Sequence, residues 1–432
     1  MQIFAVELKI YYTIVMKNIT FFSIVISLCL FACSNKPKED SKKTSTAKTF
    51  HEINLSGDFT GSTCNNLLMS DIVEDVEYVQ LETTDDCLIN QHVSCVLTNK
   101  DIYVLNKLST KEELLRFDRK TGKFISKIGQ IGQGPKDMLQ PSGVYADDTH
   151  VYVPSNITNK VYIYQKDGTF VKSVPLGRCT GEQISVVQGK YIICHPGQDF
   201  EASENHEEGN RNLYYGAKIL DMNGNTLMAK SDTLPGEKPT VTLDWTPKRW
   251  YYNGELNFYN EIDATVYAAN EKGIFPRYKF NLGNNQWIVT GTLGKGHLKN
   301  IKFHHFKETT DYLYICWNQH EKVYMARFNK KTEELNVSEE TPFKGRLWLA
   351  SGYGPKNDID GFNSYWGPGG IHENQSGSFI YTITPDNIDK ARETLKKAEN
   401  VKFPEKRQQL LKMLDERKDD DNPILVIYKL KK

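Results

Sequence analysis

Asp101-Ile-Tyr-Val-Leu-Asn106, Leu114-Leu-Arg-Phe-Asp118 and Lys123-Phe-Ile-Ser-Lys127, the last two joined at Thr121-Gly122, decide the fold. Short runs of β-branched and aromatic residues, bounded by Asp, Asn and Gly, favour strands, and an Asx- or Thr-Gly pair favours a hairpin. The same theme returns as His150-Val-Tyr-Val-Pro154 with Val161-Tyr-Ile-Tyr164, turning at Asp167-Gly168 into Thr169-Phe-Val-Lys-Ser173. It returns again as Tyr191-Ile-Ile-Cys194 with Ala217-Lys-Ile-Leu-Asp221, turning at Asn223-Gly224. Later copies are Glu255-Leu-Asn-Phe-Tyr259 with Thr265-Val-Tyr-Ala268, and Asp311-Tyr-Leu-Tyr-Ile315 with Val323-Tyr-Met-Ala-Arg327. The last is Ser378-Phe-Ile-Tyr381 with Ile424-Leu-Val-Ile-Tyr428.

A unit that recurs every 40 to 65 residues or about that, too small to bury its own face, implies a ring of stacked units. Six four-stranded units make a six-bladed β-propeller of the all-β class. The last copy has only three strands, whereas Val76-Glu-Tyr-Val-Gln-Leu-Glu82 stands before the first copy with no hairpin partner. Joining these two completes blade six and removes two exposed edges. A sandwich or two separate β domains accounts less well for the leftover strand.

Bulk composition agrees with one large domain: 432 residues, 39% apolar, with 23 Tyr and 20 Phe. Lys+Arg and Asp+Glu both number 54, so nothing argues for nucleic acid, which selects a basic excess. Of eight cysteines, none forms a C-x-x-C pair, so a zinc knuckle or thioredoxin-type site is unsupported. Cys64, Cys87, Cys95, Cys179, Cys194 and Cys316 are left open between disulfides and buried thiols.

The N-terminus reads as an export segment. Met16-Lys17-Asn18 opens an apolar run from Ile19 to Phe31, followed by Ala32-Cys33-Ser34. The run is too short to span a bilayer, and a small residue precedes Cys33, as at a signal-peptide cleavage site. Leu30-Phe31-Ala32-Cys33 resembles the lipobox of bacterial lipoproteins, which implies lipidation of Cys33. Residues 1–33 are then the signal peptide, with Met16 the expected start, and the polar residues 34–50 a flexible tether. The propeller occupies 51–432. Glu39-Asp40 resembles the surface-export signals of Bacteroidota lipoproteins.

The resemblance extends into the blades. Val76–Thr83 (VEYVQLET), Gly129–Pro135 (GQIGQGP) and Asn422-Pro-Ile-Leu-Val-Ile-Tyr-Lys-Leu430 are similar to the six-bladed, NHL-like propeller lipoproteins of Bacteroidota. That implies the fold and an outer-membrane address, on the periplasmic side or the cell surface. It carries over no catalytic residue.

Long insertions fall on the face of the second-to-third turns and the between-blade crossings: Gly129–Gln140, Pro196–Asn212 and Pro385–Asp421. The last reads as two helices, with Thr384 before Pro385 at one start and Leu410, Leu411 and Leu414 on one side of the second. It either caps the channel mouth or packs on the blade edge. No nucleophile elbow, H-E-x-x-H, phosphate loop, EF-hand or dinucleotide fingerprint is present.

Two side-chain groups remain. The innermost strands expected at Leu88–Leu97, Ile301–Glu308 and Gly369–Asn374 carry His92, His304 or His305, and His372, which would suit a divalent metal in the channel. Of His304 and His305 only one would face it; the plainer reading is polar channel lining and no cofactor. Trp245, Arg249 and Trp250 with Tyr353, Tyr365 and Trp366 would suit stacking on a sugar or peptide, with Trp250, Trp366, Arg249 and Tyr365 foremost. Their plainer reading is core packing. The resulting expectation is a lipid-anchored binding or scaffolding module for a glycan, a peptide or an outer-membrane partner protein. The alternative is a propeller lyase or hydrolase with a histidine-held channel metal.

Overall fold

The hairpins expected from sequence close on glycines with positive φ: Gly122 (71°), Gly168 (92°) and Gly224 (89°). At the first, Asp118 accepts the backbone N–H groups of Lys120 (3.1 Å) and Thr121 (2.8 Å). A Cβ on Gly122 would lie 1.9 Å from the Gln80 carbonyl oxygen of the preceding blade. Glycine thus permits both the turn and the close approach of neighbouring blades.

The structure is a computed structural model that describes residues 50–432, apart from 60–66, 90–92, 108–111, 156, 178–183, 195–212, 234–247, 262, 286–300, 320–321, 343–353, 363–371, 374–376 and 419. Its strands form six antiparallel blades. Blade one comprises Val93–Leu97, Asp101–Lys107, Glu112–Asp118 and Phe124–Lys127; blade two Tyr145–Ala146, His150–Ser155, Lys160–Gln165 and Phe170–Pro175. Blade three comprises Ile184–Val187, Tyr191–Cys194, Leu213–Asp221 and Thr226–Thr233; blade four Arg249–Tyr252, Glu255–Asn260, Thr265–Asn270 and Gly273–Asn281. Blade five comprises Lys302–Glu308, Tyr312–Gln319, Lys322–Asn329 and Leu335–Pro342.

Blade six is sewn from both ends of the domain. His372–Glu373, Ser378–Ile383 and Ile424–Leu430 are completed by Val73–Gln80, with Val73 opposite Leu430 and Gln80 opposite Ile424. Innermost strands touch around the ring, Val93–Leu97 meeting both Tyr145–Ala146 and His372–Glu373. Of the inner strands expected at Leu88–Leu97 and Gly369–Asn374, the structure describes Val93–Leu97 and His372–Glu373, while residues 90–92, 369–371 and 374 lie outside the described residues. One strand went unforeseen: His51–Asn54 pairs in parallel with Tyr278–Asn281 on the outer edge of blade four.

The core lies in the seams between blades. Blades one and two meet through Tyr103, Leu105, Val151 and Tyr164, and blades six and one through Leu97, Val104, Ile380 and Leu425. Each such side chain contributes roughly 1.5–3 kcal/mol on burial. The chain before blade six is part of this packing. Ile53 and Leu55 join the seam of blades four and five, and Leu67 and Ile72 pack against Tyr314 and Cys316 of blade five.

The insertion of blade six is helical, as expected: α1 Ile388–Lys397 and α2 Pro404–Glu416. Leu395, Leu410 and Leu414 bury against Val76, Tyr78 and Tyr428. Lys406 on α2 donates to the Val76 carbonyl (2.7 Å) and pairs with Asp75 (3.3 Å). The helix pair therefore packs on blade six along its outermost strand, the edge-packed arrangement of the two considered. The Thr384 hydroxyl bonds to Asp386 and makes no hydrogen bond to the helical backbone.

Candidate binding cleft at the blade six–blade one seam

The residues singled out from sequence are not assembled by the described part of the molecule. Cys33, His92, Trp245, Tyr353, Tyr365 and Trp366 lie outside the described residues. His372 is described in its backbone alone, in the innermost strand of blade six. His304 is buried and hydrogen-bonds Asn318, while His305 is half-buried, with the two imidazole rings 6.2 Å apart. A register shift between Phe303 and His305 interrupts the simple alternation expected of that strand. Among the described residues no three His, Cys, Asp or Glu side chains converge as metal ligands.

Arg249 is half-buried at the head of blade four, opposite Phe258. Trp250 is 1% exposed, stacked on Phe306 in the seam of blades four and five. It packs in the core rather than standing open to a ligand. Its indole N–H donates to Glu308 (2.9 Å), a carboxylate that also accepts Tyr278 O–H (2.6 Å), Arg277 Nη2 (2.8 Å) and Lys330 Nζ (3.2 Å). Burial first, and then the Glu308 charge, raise the Tyr278 hydroxyl far above its ordinary pKa. This hub rivets blade four to blade five.

Sequence reasoning missed a cleft of about 610 Å³ at the rim, where α2 roofs the seam of blades six and one. Glu77, Tyr78 and Val79 of the outermost strand of blade six line one wall. Asn99 and Lys100 from the first turn of blade one, with Asp118, Arg119 and Lys120 from its last turn, line another; Lys406 and Gln409 come from α2. Arg119 is committed, donating to the Thr98 carbonyl (3.0 Å) and to Glu77 (3.1 Å). Lys100, Lys120 and Gln409 are exposed. The lining carries four cationic and two anionic residues, counted over the same set. A volume of this size falls within the usual range of ligand sites.

Behind that wall lies a buried carboxyl. Asp360 accepts Tyr78 O–H (2.6 Å), Asn357 Nδ2 (2.8 Å), the Phe362 N–H (3.0 Å) and, more distantly, Tyr428 O–H (3.3 Å). Burial raises its pKa, and these hydrogen bonds offset only part of the rise. The cluster pins residues 357–362 to the strand that lines the cleft.

The model of a domain of unknown function, DUF4934, matches residues 50–429. The chain belongs to the DUF4934 family. Among solved structures it is similar to a Bacteroides fragilis protein described as exported, at 15% identity and a TM-score of 0.57, covering 89% of this chain and 100% of that one. A member of the DUF4221 family from Bacteroides vulgatus aligns at 10% identity and a TM-score of 0.42, over 83% and 98% of the two chains. Virginiamycin B lyase from Staphylococcus aureus aligns at 13% identity and a TM-score of 0.32, over 71% and 81%. The first likeness bears on the fold of this DUF4934 chain and not on its ligand. No curated protein matches the chain.

Proposed function

We propose that this DUF4934 chain is a lipid-anchored binding or scaffolding propeller of the cell envelope, whose ligand site is the cleft between blades six and one. The observation that carries the reading is the pair of exposed ammonium groups, Lys100 and Lys120, in a concave rim site with a basic excess. Such a site attracts a ligand bearing carboxylate or another anionic group, and the insertion of blade six supplies its third wall. Cys194 is disulfide-bonded, its partner lying outside the described residues. A disulfide suits an oxidising compartment, and the similar Bacteroides fragilis protein is described as exported. Lipidation at Cys33 and placement at the outer membrane are parts of the same proposal, supported by Leu30-Phe31-Ala32-Cys33.

The test is an array of acidic and neutral glycans and peptides probed with the intact domain and with Lys100→Glu/Lys120→Glu. Acidic members should be retained at low salt, with retention falling about tenfold in the variant and declining as salt rises. Retention indifferent to both charge reversal and salt would remove the cleft as the site.

A further inference from the structure

We propose that the cleft takes an acidic peptide segment in extended conformation, one residue of which forms a single β-bridge to the backbone of Tyr78 at the edge of blade six. The proposal rests on the cleft being the ligand site and names what fills it.

In an antiparallel strand the N–H and C=O of one residue point to the same edge, and successive residues point to opposite edges. The Leu81 N–H turns inward to the Pro423 carbonyl, and the Glu82 N–H turns outward to the Gly122 carbonyl (2.9 Å). Going back by twos, Gln80, Tyr78 and Val76 also face outward. Val76 is satisfied locally: its N–H donates to the Asp75 carboxylate (2.8 Å) and its carbonyl accepts Lys406 (2.7 Å). Gln80 is covered by the Gly122 backbone, close enough that a Cβ there would meet the Gln80 oxygen at 1.9 Å. Tyr78 lies between these two closures, in the cleft wall. Among the described residues, no backbone hydrogen bond of Tyr78 leaves its own sheet. Tyr78 is buried at 8% exposure, so its unpaired backbone groups meet a ligand only from within the cleft, and an unpaired pair of backbone groups on an edge strand is a template for another chain.

Ligand chemistry then separates the candidates. A peptide residue in extended form presents its own N–H and C=O along one edge, matching both groups of Tyr78. An N-acetyl group on a sugar holds N–H and C=O on opposite sides of a trans amide, so it meets one of the two at most. Charge narrows the choice further. Lys100 and Lys120 face the same cleft as Tyr78, and the acidic residues lining it are already engaged: Glu77 by Arg119 and Asp118 by its own turn. Side chains flanking the paired residue would therefore be Asp or Glu.

The test uses a fluorescein-labelled hexapeptide of alternating glutamate and valine, read by anisotropy against the intact domain. Backbone N-methylation, introduced one residue at a time, should weaken binding tenfold or more at one central position and little elsewhere. Replacing glutamate by lysine in the peptide should abolish binding. Lys100→Glu/Lys120→Glu should weaken it tenfold or more with the melting temperature unchanged. Equal binding by every N-methylated peptide would overturn the β-bridge. Retention of an acidic glycan but of no acidic peptide would overturn the peptide while leaving the cleft as the site, and retention of neither would overturn both readings.

Discussion

Replacing Glu308 by Ala should be among the most destabilising single substitutions in the domain, and the hub at the seam of blades four and five sets the size. The Glu308 side chain is fully buried, while its partners Arg277 and Lys330 are 22% and 13% exposed. Truncation leaves the buried Trp250 N–H and Tyr278 O–H without this acceptor, at about 1–3 kcal/mol each. Arg277 retains Glu255 (3.1 Å) and Lys330 retains the Tyr252 hydroxyl (3.2 Å), so the cations are only partly stranded. The total expected is about 3–5 kcal/mol, as for breaking other buried ion pairs. Glu308→Gln, which keeps one carbonyl oxygen, should cost about half as much. Glu255→Gln removes a partly exposed partner of the same arginine and should cost under about 1 kcal/mol. Urea denaturation followed by tryptophan fluorescence measures all three, read as midpoint shifts at constant slope. A Glu308→Ala cost no larger than that of Glu255→Gln would refute the hub.

Three further outcomes are expected. Asp360 has its folded pKa raised by burial above the unfolded value, so the folded state binds the proton more tightly. Its contribution is present in full below about pH 3.8 and is lost as pH rises through the folded pKa. Urea midpoints should therefore show Asp360→Asn gaining on the parent between pH 4 and neutrality, and a widening deficit would contradict the sign. Deleting Ile424–Lys432 removes the strand between Ser378–Ile383 and Val73–Gln80. It should abolish cooperative thermal unfolding, whereas a melt like the parent's would show that the ring does not depend on this closure. Cys33→Ala should release the folded domain from membranes, and its persistence there after a high-salt wash would remove the lipid anchor.

The architecture was legible because its signals are local. Asp167-Gly168 and Asn223-Gly224 favour the positive φ of a hairpin turn, and the unmatched apolar strand at Val76–Glu82 needed a partner at the far end of the domain. Pro385 and Pro404 likewise announced the helical insertion. His51–Asn54 was not legible as a strand, since a short parallel pairing has no turn to announce it and these four residues carry a single aliphatic side chain, Ile53. The cleft was not legible for a different reason. Tyr78, Lys100, Lys120 and Gln409 come from four separate stretches, each ordinary alone, and only ring closure and the packing of α2 bring them together. Trp250 shows the converse. Beside Arg249 it suggested a stacking site, but alternation along Arg249–Tyr252 turns its indole into the seam toward Phe306 and Glu308.

The claim that the cleft between blades six and one is the ligand site meets its most direct test in hydrogen exchange, with and without the tightest acidic ligand from the array. Slowed exchange should be confined to peptides spanning Val73–Gln80, Asn99–Lys100, Arg119–Lys120 and the start of α2, with the Tyr78 amide most affected. Protection at Gly129–Gln140 and the innermost strands, with Val73–Gln80 unchanged, would place the ligand at the channel and contradict the account.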